Sequence, residues 1–238
     1  MTEIDNKILA RFMRFCAANN NSEDLEMALL LGVDPNLSDR NGSNALHVAA
    51  LSGSNQTLEV LAAFGGNINA GDRFGKTPLQ FSTLSAKPET TKKLLELGAN
   101  PNHGDLNGFC PLHIATQHNN PEIVSLLLQN KANPDQKDKY GQTPLHWAAF
   151  YGNQEIVKLL IQAKANVNIL NNNGQTPLVY ALKAKNNQVA KLLLASGAIT
   201  EKTQKNNTTM MDYVLKKQNN HLKPVLKAQH ENRLKKSR

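Results

Sequence analysis

The sequence predicts an all-α repeat solenoid, a stack of helix–turn–helix units in which each unit packs on the next. Three observations predict it. Five glycines recur at a spacing of 33 residues, at positions 42, 75, 108, 141 and 174. A similar turn-and-helix string surrounds each of them. The helices that these strings predict are too short to be stable alone, so stacking must bury their apolar faces.

Each unit opens with a polar turn that contains the recurring glycine. The five copies read DRNGSNALH, DRFGKTPLQ, DLNGFCPLH, DKYGQTPLH and NNNGQTPLV. Glycine adopts positive φ where a chain reverses tightly, and Asp is a typical residue at the start of such turns. We therefore interpret the recurring aspartates as acceptors within the turns rather than as acid–base pairs: Asp39, Asp72, Asp105 and Asp138.

A first short helix follows each turn. Its first position is proline in four copies, where a missing N–H costs nothing: Pro78, Pro111, Pro144 and Pro177. The helix then buries a stripe of apolar residues, such as Leu145, Trp147, Ala148 and Ala149. Alanines are small, so this stripe allows neighbouring units to approach closely.

A second helix begins near Asn55, Pro88, Pro121, Gln154 and Asn187. In the fourth copy it carries an apolar face at helical spacing, with residues 156, 157, 159, 160 and 161 all apolar. The helix stops at a Gly or Lys before an Ala-Asn-x-Asn string, which begins the next turn.

The repeat divides the chain, taken as one domain over residues 1–238, into about seven units. Five full repeats fill residues 41–202, at about 41–73, 74–106, 107–139, 140–172 and 173–202. Residues 1–40 form an N-terminal cap helix and a degenerate repeat. Residues 203–238 form a degenerate C-terminal capping repeat, with a helix restarting at Pro224, and a basic tail.

The two ends are expected to be atypical caps. Near the N-terminus an apolar stripe at helical spacing is expected to cover the first open face of the stack: Ile4, Ile8, Phe12, Phe15 and Cys16. Terminal repeats of a stack need polar outer faces for solubility. Good caps favour a monomer, which we therefore expect.

The period of 33, the T-P-L-H-x-A string in GQTPLHWAA and CPLHIAT, and the L-L-x-x-G-A-N-x-N endings resemble the ankyrin repeat. The resemblance covers about Leu9 to Lys227. It implies helix–turn–helix units joined by β-hairpin fingers. It also implies a scaffold or adaptor that binds another protein through the finger tips and the concave face of the inner helices, with no enzyme activity. It names no partner.

In ankyrin arrays the contact positions flank the turn glycine and lie at the end of the first helix. Carried over to the second, third and fourth full copies, these positions give the candidate binding residues: Phe74, Lys76, Leu84, Leu106, Phe109, Gln117, His118, Tyr140, Gln142, Phe150 and Tyr151. Five of them are aromatic in a chain with only 5% aromatic residues, and aromatic anchors are enriched at interface centres. The alternative is that some of these rings pack onto neighbouring fingers.

The net charge of +8 is concentrated at the C-terminal end. Residues 183–238 contain 13 of the 27 Lys and Arg but only three of the 19 acidic residues. An alternative function is therefore contact with nucleic acid or an anionic membrane surface. The tail KAQHENRLKKSR has no aromatic residues for base stacking, which disfavours nucleic acid as the partner.

The sequence favours neither a metal site nor a cofactor site. His47, His113 and His146 recur at one repeat position, roughly 10 Å apart between stacked helices. Zinc bonds to nitrogen are roughly 2 Å long, so we interpret these histidines as bonding to turn backbone. Cys110 stands where other copies have Thr; it is either a reactive thiol or a small semi-buried hydrophobe, and we favour the latter. No phosphate loop, GxSxG, HExxH or CxxC motif occurs, and we expect no enzyme activity.

Compartment is inferred from three features. No apolar stretch reaches the roughly 18 residues of a membrane span, and the N-terminus does not resemble a secretory signal. Cys16 and Cys110 form no disulfide framework. We expect a cytoplasmic protein without a transmembrane segment. The Asn- and Lys-rich usage is typical of an AT-rich genome, so the alternative is a bacterial effector delivered into a host cell, where it binds a host protein.

The second full copy, residues 74–106, departs most from the pattern. Gln80 replaces the usual His, Ser82 and Thr83 replace two alanines, and Thr90 and Thr91 stand where other copies have apolar residues. Degeneration of the copy is the simpler interpretation; a bend or a contact site is the alternative.

Fewer apolar contacts should make this copy open locally more often than its neighbours. We expect amide hydrogens in residues 74–106 to exchange faster than those in residues 140–172 in native-state hydrogen exchange. Equal protection of the two copies would contradict this expectation.

Overall fold

The computed structural model describes residues 3–199. Contacts group the chain into two units, Met1–Asn133 and Pro134–Arg238, which are described separately. In the first unit the described helices are α1 (Glu3–Ala18), α2 (Ser22–Leu30), α3 (Ala45–Ser52), α4 (Asn55–Ala63), α5 (Pro78–Leu84), α6 (Pro88–Glu96), α7 (Pro111–Gln117) and α8 (Pro121–Gln129). In the second they are α9 (Pro144–Tyr151), α10 (Gln154–Gln162), α11 (Pro177–Lys183) and α12 (Asn187–Ala195).

The first unit is a stack of helix pairs. The first helices α1, α3, α5 and α7 pack in order, and so do the second helices α2, α4, α6 and α8. Leucines one repeat apart fill the core and are fully buried: Leu46, Leu79 and Leu112 on the first helices, and Leu61, Leu94 and Leu127 on the second. Burying such a side chain stabilises the fold by about 2 kcal/mol. The all-α repeat fold is confirmed.

The second unit repeats this packing. Helix α9 packs on α11, and α10 packs on α12. Leu145 and Leu178 are fully buried on the first helices, and Leu160 and Leu193 on the second. The C-terminal capping repeat, its restart at Pro224 and the basic tail lie outside the described residues.

The recurring aspartates close the turns. Asp72 Oδ1 accepts from the amide nitrogens of Phe74 at 2.8 Å and Lys76 at 2.9 Å. Asp138 Oδ1 accepts from Tyr140 and Gln142 in the same way, both at 2.8 Å. The turn glycines adopt positive φ. The interpretation of these carboxylates as turn acceptors is confirmed.

The β-hairpin fingers are not confirmed. Among residues 3–199 the structure has a single isolated antiparallel bridge, between Ser38 and Asn44. The turns are too tight for a ladder: the amide of Asp72 bonds to the carbonyl of Lys76 at 2.9 Å, and the chain then enters the next helix. Adjacent turns are also joined by backbone, since the amide of Arg73 donates to the carbonyl of Asn41 at 2.7 Å.

The third residue of each first helix links its own repeat to the turn of the next repeat. His47 Nδ1 accepts from the amide of Asn44 at 3.3 Å, and His47 Nε2 lies 2.9 Å from the carbonyl of Lys76. A carbonyl can only accept, so Nε2 carries the proton. His146 makes the equivalent bond to the carbonyl of Gln175 at 3.0 Å. For these two histidines the interpretation as backbone-bonding residues is confirmed.

Asparagines at the last position of the Ala-Asn-x-Asn strings, and at the same position of the related strings VDPN and GNIN, form a second set of links between repeats that was not predicted from the sequence. Asn36 Oδ1 accepts from the amide of Asn67 at 2.7 Å, and Asn69 Oδ1 accepts from Asn100 at 2.7 Å. In the second unit Asn168 Oδ1 accepts from the amide of Ile199 at 2.7 Å. Each asparagine thus supplies an acceptor to the backbone one repeat further along.

Polar residues of the second full copy are buried but hydrogen-bonded. The hydroxyls of Ser82 and Thr91 lie 3.0 Å apart, and Thr83 Oγ1 donates to the carbonyl of Leu79 at 2.8 Å. Satisfied hydroxyls avoid the cost of an unpaired buried polar group. Whether this copy opens more often than its neighbours stays a prediction.

Helix α1 packs on α3 and so covers the first open face of the stack as expected, but among the stripe residues whose side chains are described only Cys16 is buried. Ile8 and Phe15 are each 63% exposed, and Phe12 is also exposed. Helix α1 packs through another face, made of smaller or more flexible side chains: Ala10, Met13, Cys16 and Ala17. The small side chains let α1 approach α3 closely, which leaves the bulky stripe on the outside.

Burial lowers the pKa of His47 below its ordinary value of 6.5. The unfolded state therefore binds more protons in this range, and the free energy of unfolding should fall as pH drops below about 6.5 and level off below the lowered pKa. His47→Gln should remove this part of the pH dependence and keep both hydrogen bonds, as Gln80 does at the equivalent position.

Urea unfolding at about pH 5 and about pH 8 measures the difference. The loss of stability between the two pH values should be smaller for His47→Gln than for the unmodified chain. An unchanged loss would show that His47 does not titrate with unfolding.

Candidate partner-binding surfaces

In the first unit the candidate residues lie where the repeat places them. Phe74 and Leu106 lie on turn tips and are exposed, Leu106 to 75%. Leu84 ends α5, and Gln117 and His118 lie at the end of α7. All five are exposed, so these positions are available to a partner of this unit.

The tip of the second copy is ordered by its own contacts. The guanidinium of Arg73 lies 4.7 Å from the centre of the Phe74 ring, a cation–π contact. Lys76 is half-buried, and its carbonyl accepts the bond from His47. The backbone of Lys76 is therefore structural, and its side chain is a weaker candidate than Phe74.

Phe109 differs from the other aromatic candidates. Its ring is half-buried and lies 5.4 Å from the ring of His113, and its carbonyl accepts from Gln80 Nε2. The alternative interpretation, that some rings pack within the array, applies to this residue. The interior contact makes Phe109 a weaker candidate anchor.

The second unit carries an aromatic cluster, defined as Trp147, Phe150 and Tyr151 of α9 with Tyr180 of α11. The rings of Phe150 and Tyr151 meet edge to face at 5.3 Å. Tyr151 stacks on Trp147 at 6.0 Å, and Phe150 approaches Tyr180 at 6.4 Å. Phe150 is 47% exposed and Tyr151 is 42% exposed, so the cluster is continuous and open to solvent.

Helix geometry and the repeat bring these rings together. Residues 147, 150 and 151 are spaced by three and four, which places them on neighbouring parts of one helix surface. Tyr180 follows Trp147 by 33 residues and occupies the same position one repeat later. The carbonyl of Phe150 accepts from Asn186 Nδ2 at 2.6 Å, which fixes the end of α9.

The sequence analysis assigned Trp147 to the core, and this was wrong. Trp147 is half-buried, and its Nε1 donates to Asp138 Oδ2 at 3.4 Å. The indole N–H of Trp147 bonds to this carboxylate, and part of the ring stays exposed. The period of 33 could have indicated this, because it places Tyr180, whose side chain carries a hydroxyl, at the same repeat position.

Tyr140 lies on the turn tip of the second unit. It is exposed, and the Lys139 ammonium lies 5.0 Å from the centre of its ring. Gln142 is half-buried, and its carbonyl accepts from the amide of Asp138 at 2.8 Å. As at the tip of the first unit, the aromatic residue is the accessible one.

The phenol of Tyr180 stays neutral near neutral pH. Burial raises the pKa of Tyr180 above its ordinary value, and the phenol oxygen accepts from Asn171 Nδ2 at 3.0 Å. Within residues 3–199 no three His, Cys, Asp or Glu side chains lie close enough together to hold a metal ion. No helix in that range is long and apolar enough to cross a membrane.

Cys110 is fully buried, and burial raises its pKa to about 11. Relative to a thiol with the ordinary pKa of 9.0, its thiolate fraction at neutral pH is lower by about 100-fold. We therefore expect maleimide to leave Cys110 unlabelled in the folded protein and to label it in denaturant, as read by mass spectrometry of the peptides. Rapid labelling of Cys110 in native buffer would instead support a reactive thiol.

A family model described as ankyrin repeats in three copies matches the chain over residues 13–105, 84–171 and 112–209. A search of curated proteins finds no matching relative. The matched ranges contain the turns, the paired helices and the linking histidines described above. Together they span most of the sequence, and the chain belongs to the ankyrin-repeat family.

Proposed function

We propose that this chain is a scaffold or adaptor that binds a partner protein, with the aromatic cluster of the second unit as its main contact. Ankyrin repeats in general mediate protein–protein interaction. The proposal goes further, because it assigns the contact to particular residues. The turn tips at Phe74, Leu106 and Tyr140 add contacts within their own units.

The observation that carries the proposal is the exposure of Phe150 and Tyr151. Each ring leaves nearly half of its surface in water although burial is favourable. Covering the remaining area removes roughly 100 Å² per ring, which stabilises a complex by about 2.5 kcal/mol per ring. Phe74 and Tyr140 expose at least as much, but Phe150 and Tyr151 lie side by side in one cluster, so these two are the expected hot spots.

The cluster is also pre-organised. Phe150 and Tyr151 are held against Trp147 and Tyr180 on two packed helices, and Asn186 fixes the backbone at the end of α9. Rings that are already ordered lose little conformational entropy on binding. The mutual edge-to-face arrangement suits a partner segment that inserts a leucine or an aromatic side chain between the rings.

The alternatives from the sequence analysis stay hypotheses. Contact of the basic end with nucleic acid or an anionic membrane concerns residues 183–238, of which residues 200–238 lie outside the described structure. A bacterial effector would use the same aromatic cluster on a host protein, so it differs in the source of the partner and not in the contact. The cytoplasmic location rests on the unpaired cysteines Cys16 and Cys110.

Affinity capture from a lysate of the source cell or of its host tests the proposal. Three forms of the full chain are compared: the unmodified protein, Phe150→Ser/Tyr151→Ser, and the control Leu170→Ser. Leu170 is exposed in the same unit but outside the cluster. A partner retained by the unmodified protein and the control should bind the double variant at least about 30-fold more weakly, since a hot spot is worth 2 kcal/mol or more.

Circular dichroism and thermal unfolding confirm that each variant is folded before capture. Equal capture by all three forms would remove the cluster from the binding surface. Recovery of polyanions alone, lost at high salt, would favour the basic C-terminal end instead.

A further inference from the structure

The outer face of α1 and α2 exposes large apolar side chains. Ile8, Phe12 and Phe15 lie at helical spacing on α1, and Met27 and Leu31 lie in and just after α2; all are exposed. We call these five residues the end face. They form one surface because α1 and α2 pack against each other through the short turn at residues 19–21.

The repeat shows that this is a stacking face. The positions one repeat after Phe12 and Phe15 hold Ala45, which is fully buried, and Val48, which is half-buried. The position after Met27 holds Val60, also half-buried. In the inner copies of the first unit these positions contact the preceding helix pair. On α1 and α2 the same positions therefore have the geometry of a helix-pair interface, and they carry apolar side chains.

The two edges of the end face carry opposite charges. Lys7 and Arg11 line the side of α1 that faces the turn Leu37–Asn41. Glu23 lies on α2 away from its buried residues and is exposed. Its equivalent one repeat later, Gln56, accepts from Asn20 Nδ2 of the preceding helix pair, so this position lies at the end face. An apolar strip therefore has a basic edge on α1 and an acidic edge on α2.

We propose that a second copy of this chain covers the end face, forming a homodimer with two-fold symmetry. A two-fold axis that lies in the plane of the face, parallel to the two helices, lays α1 of each copy on α2 of the other. The basic edge of one copy then meets the acidic edge of its partner, twice, while the apolar strips cover each other. A self-complementary patch of this kind is what an isologous interface requires.

The size of the face sets the expected strength. Helix α1 is about 24 Å long and the nine-residue α2 about 14 Å, and each is about 10 Å wide, so each copy buries roughly 400 Å². A total of roughly 800 Å² lies below the size of most stable specific interfaces. The dimer should therefore be weak, with a dissociation constant on the order of 100 μM. The expectation of a monomer rested on polar caps, and the end face is not polar.

Sedimentation velocity of the full chain, from about 1 μM to about 500 μM, measures the association. The unmodified protein should shift from monomer to dimer over this range. Phe15→Glu, at a residue that is already exposed, should weaken association by about 30-fold or more, because it places a charge in the apolar strip. The control Leu106→Glu, at an exposed apolar residue on a turn tip, should leave it unchanged.

A charge exchange tests the orientation of the two copies. Arg11→Glu alone and Glu23→Lys alone should each weaken the dimer several-fold, and the double variant should restore it, because the two edges again carry opposite charges. If the unmodified protein stays monomeric over the whole concentration range, a second copy does not cover the end face, and the proposal is overturned. A dimer that survives Phe15→Glu uses a different surface and also overturns it.

Discussion

The interaction on which the rest of the structure depends is the bond from the third residue of a first helix to the carbonyl of the next turn. His47, Gln80 and His146 each make it, to Lys76, Phe109 and Gln175. The same side chain also accepts from the amide at the start of its own helix. One buried group thus fixes the start of a helix and the position of the following turn. Left unpaired, each of these groups would cost about 1–3 kcal/mol.

That bond also determines which side chains of the turn tips are exposed to a partner. Once a turn carbonyl is held by the preceding helix and its amides by an aspartate, the side chain before the glycine points away from the stack, whereas the side chain after it, such as that of Phe109, is half-buried. Phe74 and Tyr140 are exposed for this reason, and neighbouring Arg73 and Lys139 cover one side of each ring. Binding positions in such an array are therefore a consequence of the links between repeats, and their identities are free to vary.

The period of 33 predicted the second-helix starts, the turn glycines and the turn acceptors, because each follows from residues within one repeat. The errors concern which side a residue faces. Phe12 and Phe15 have the spacing of a buried stripe, but spacing alone does not reveal which face of α1 meets α3. Trp147 was assigned to the core from its repeat position, although Tyr180, which occupies the same position one repeat later, is half-buried like Trp147 itself. Side-chain direction depends on neighbours that a helical pattern does not encode.

The end face and the turn tips use different residues of the first unit, which makes their occupation compatible. The end face belongs to α1 and α2, whereas Phe74 and Leu106 belong to the second and third full copies. A pair of chains joined at the end face would keep Phe74 and Leu106 accessible and would present two copies of each. A partner with repeated binding segments would then gain effective concentration from the second contact, and even a weak dimer would matter at a scaffold that gathers several chains. Self-association is therefore a means of increasing avidity without changing any partner-binding residue.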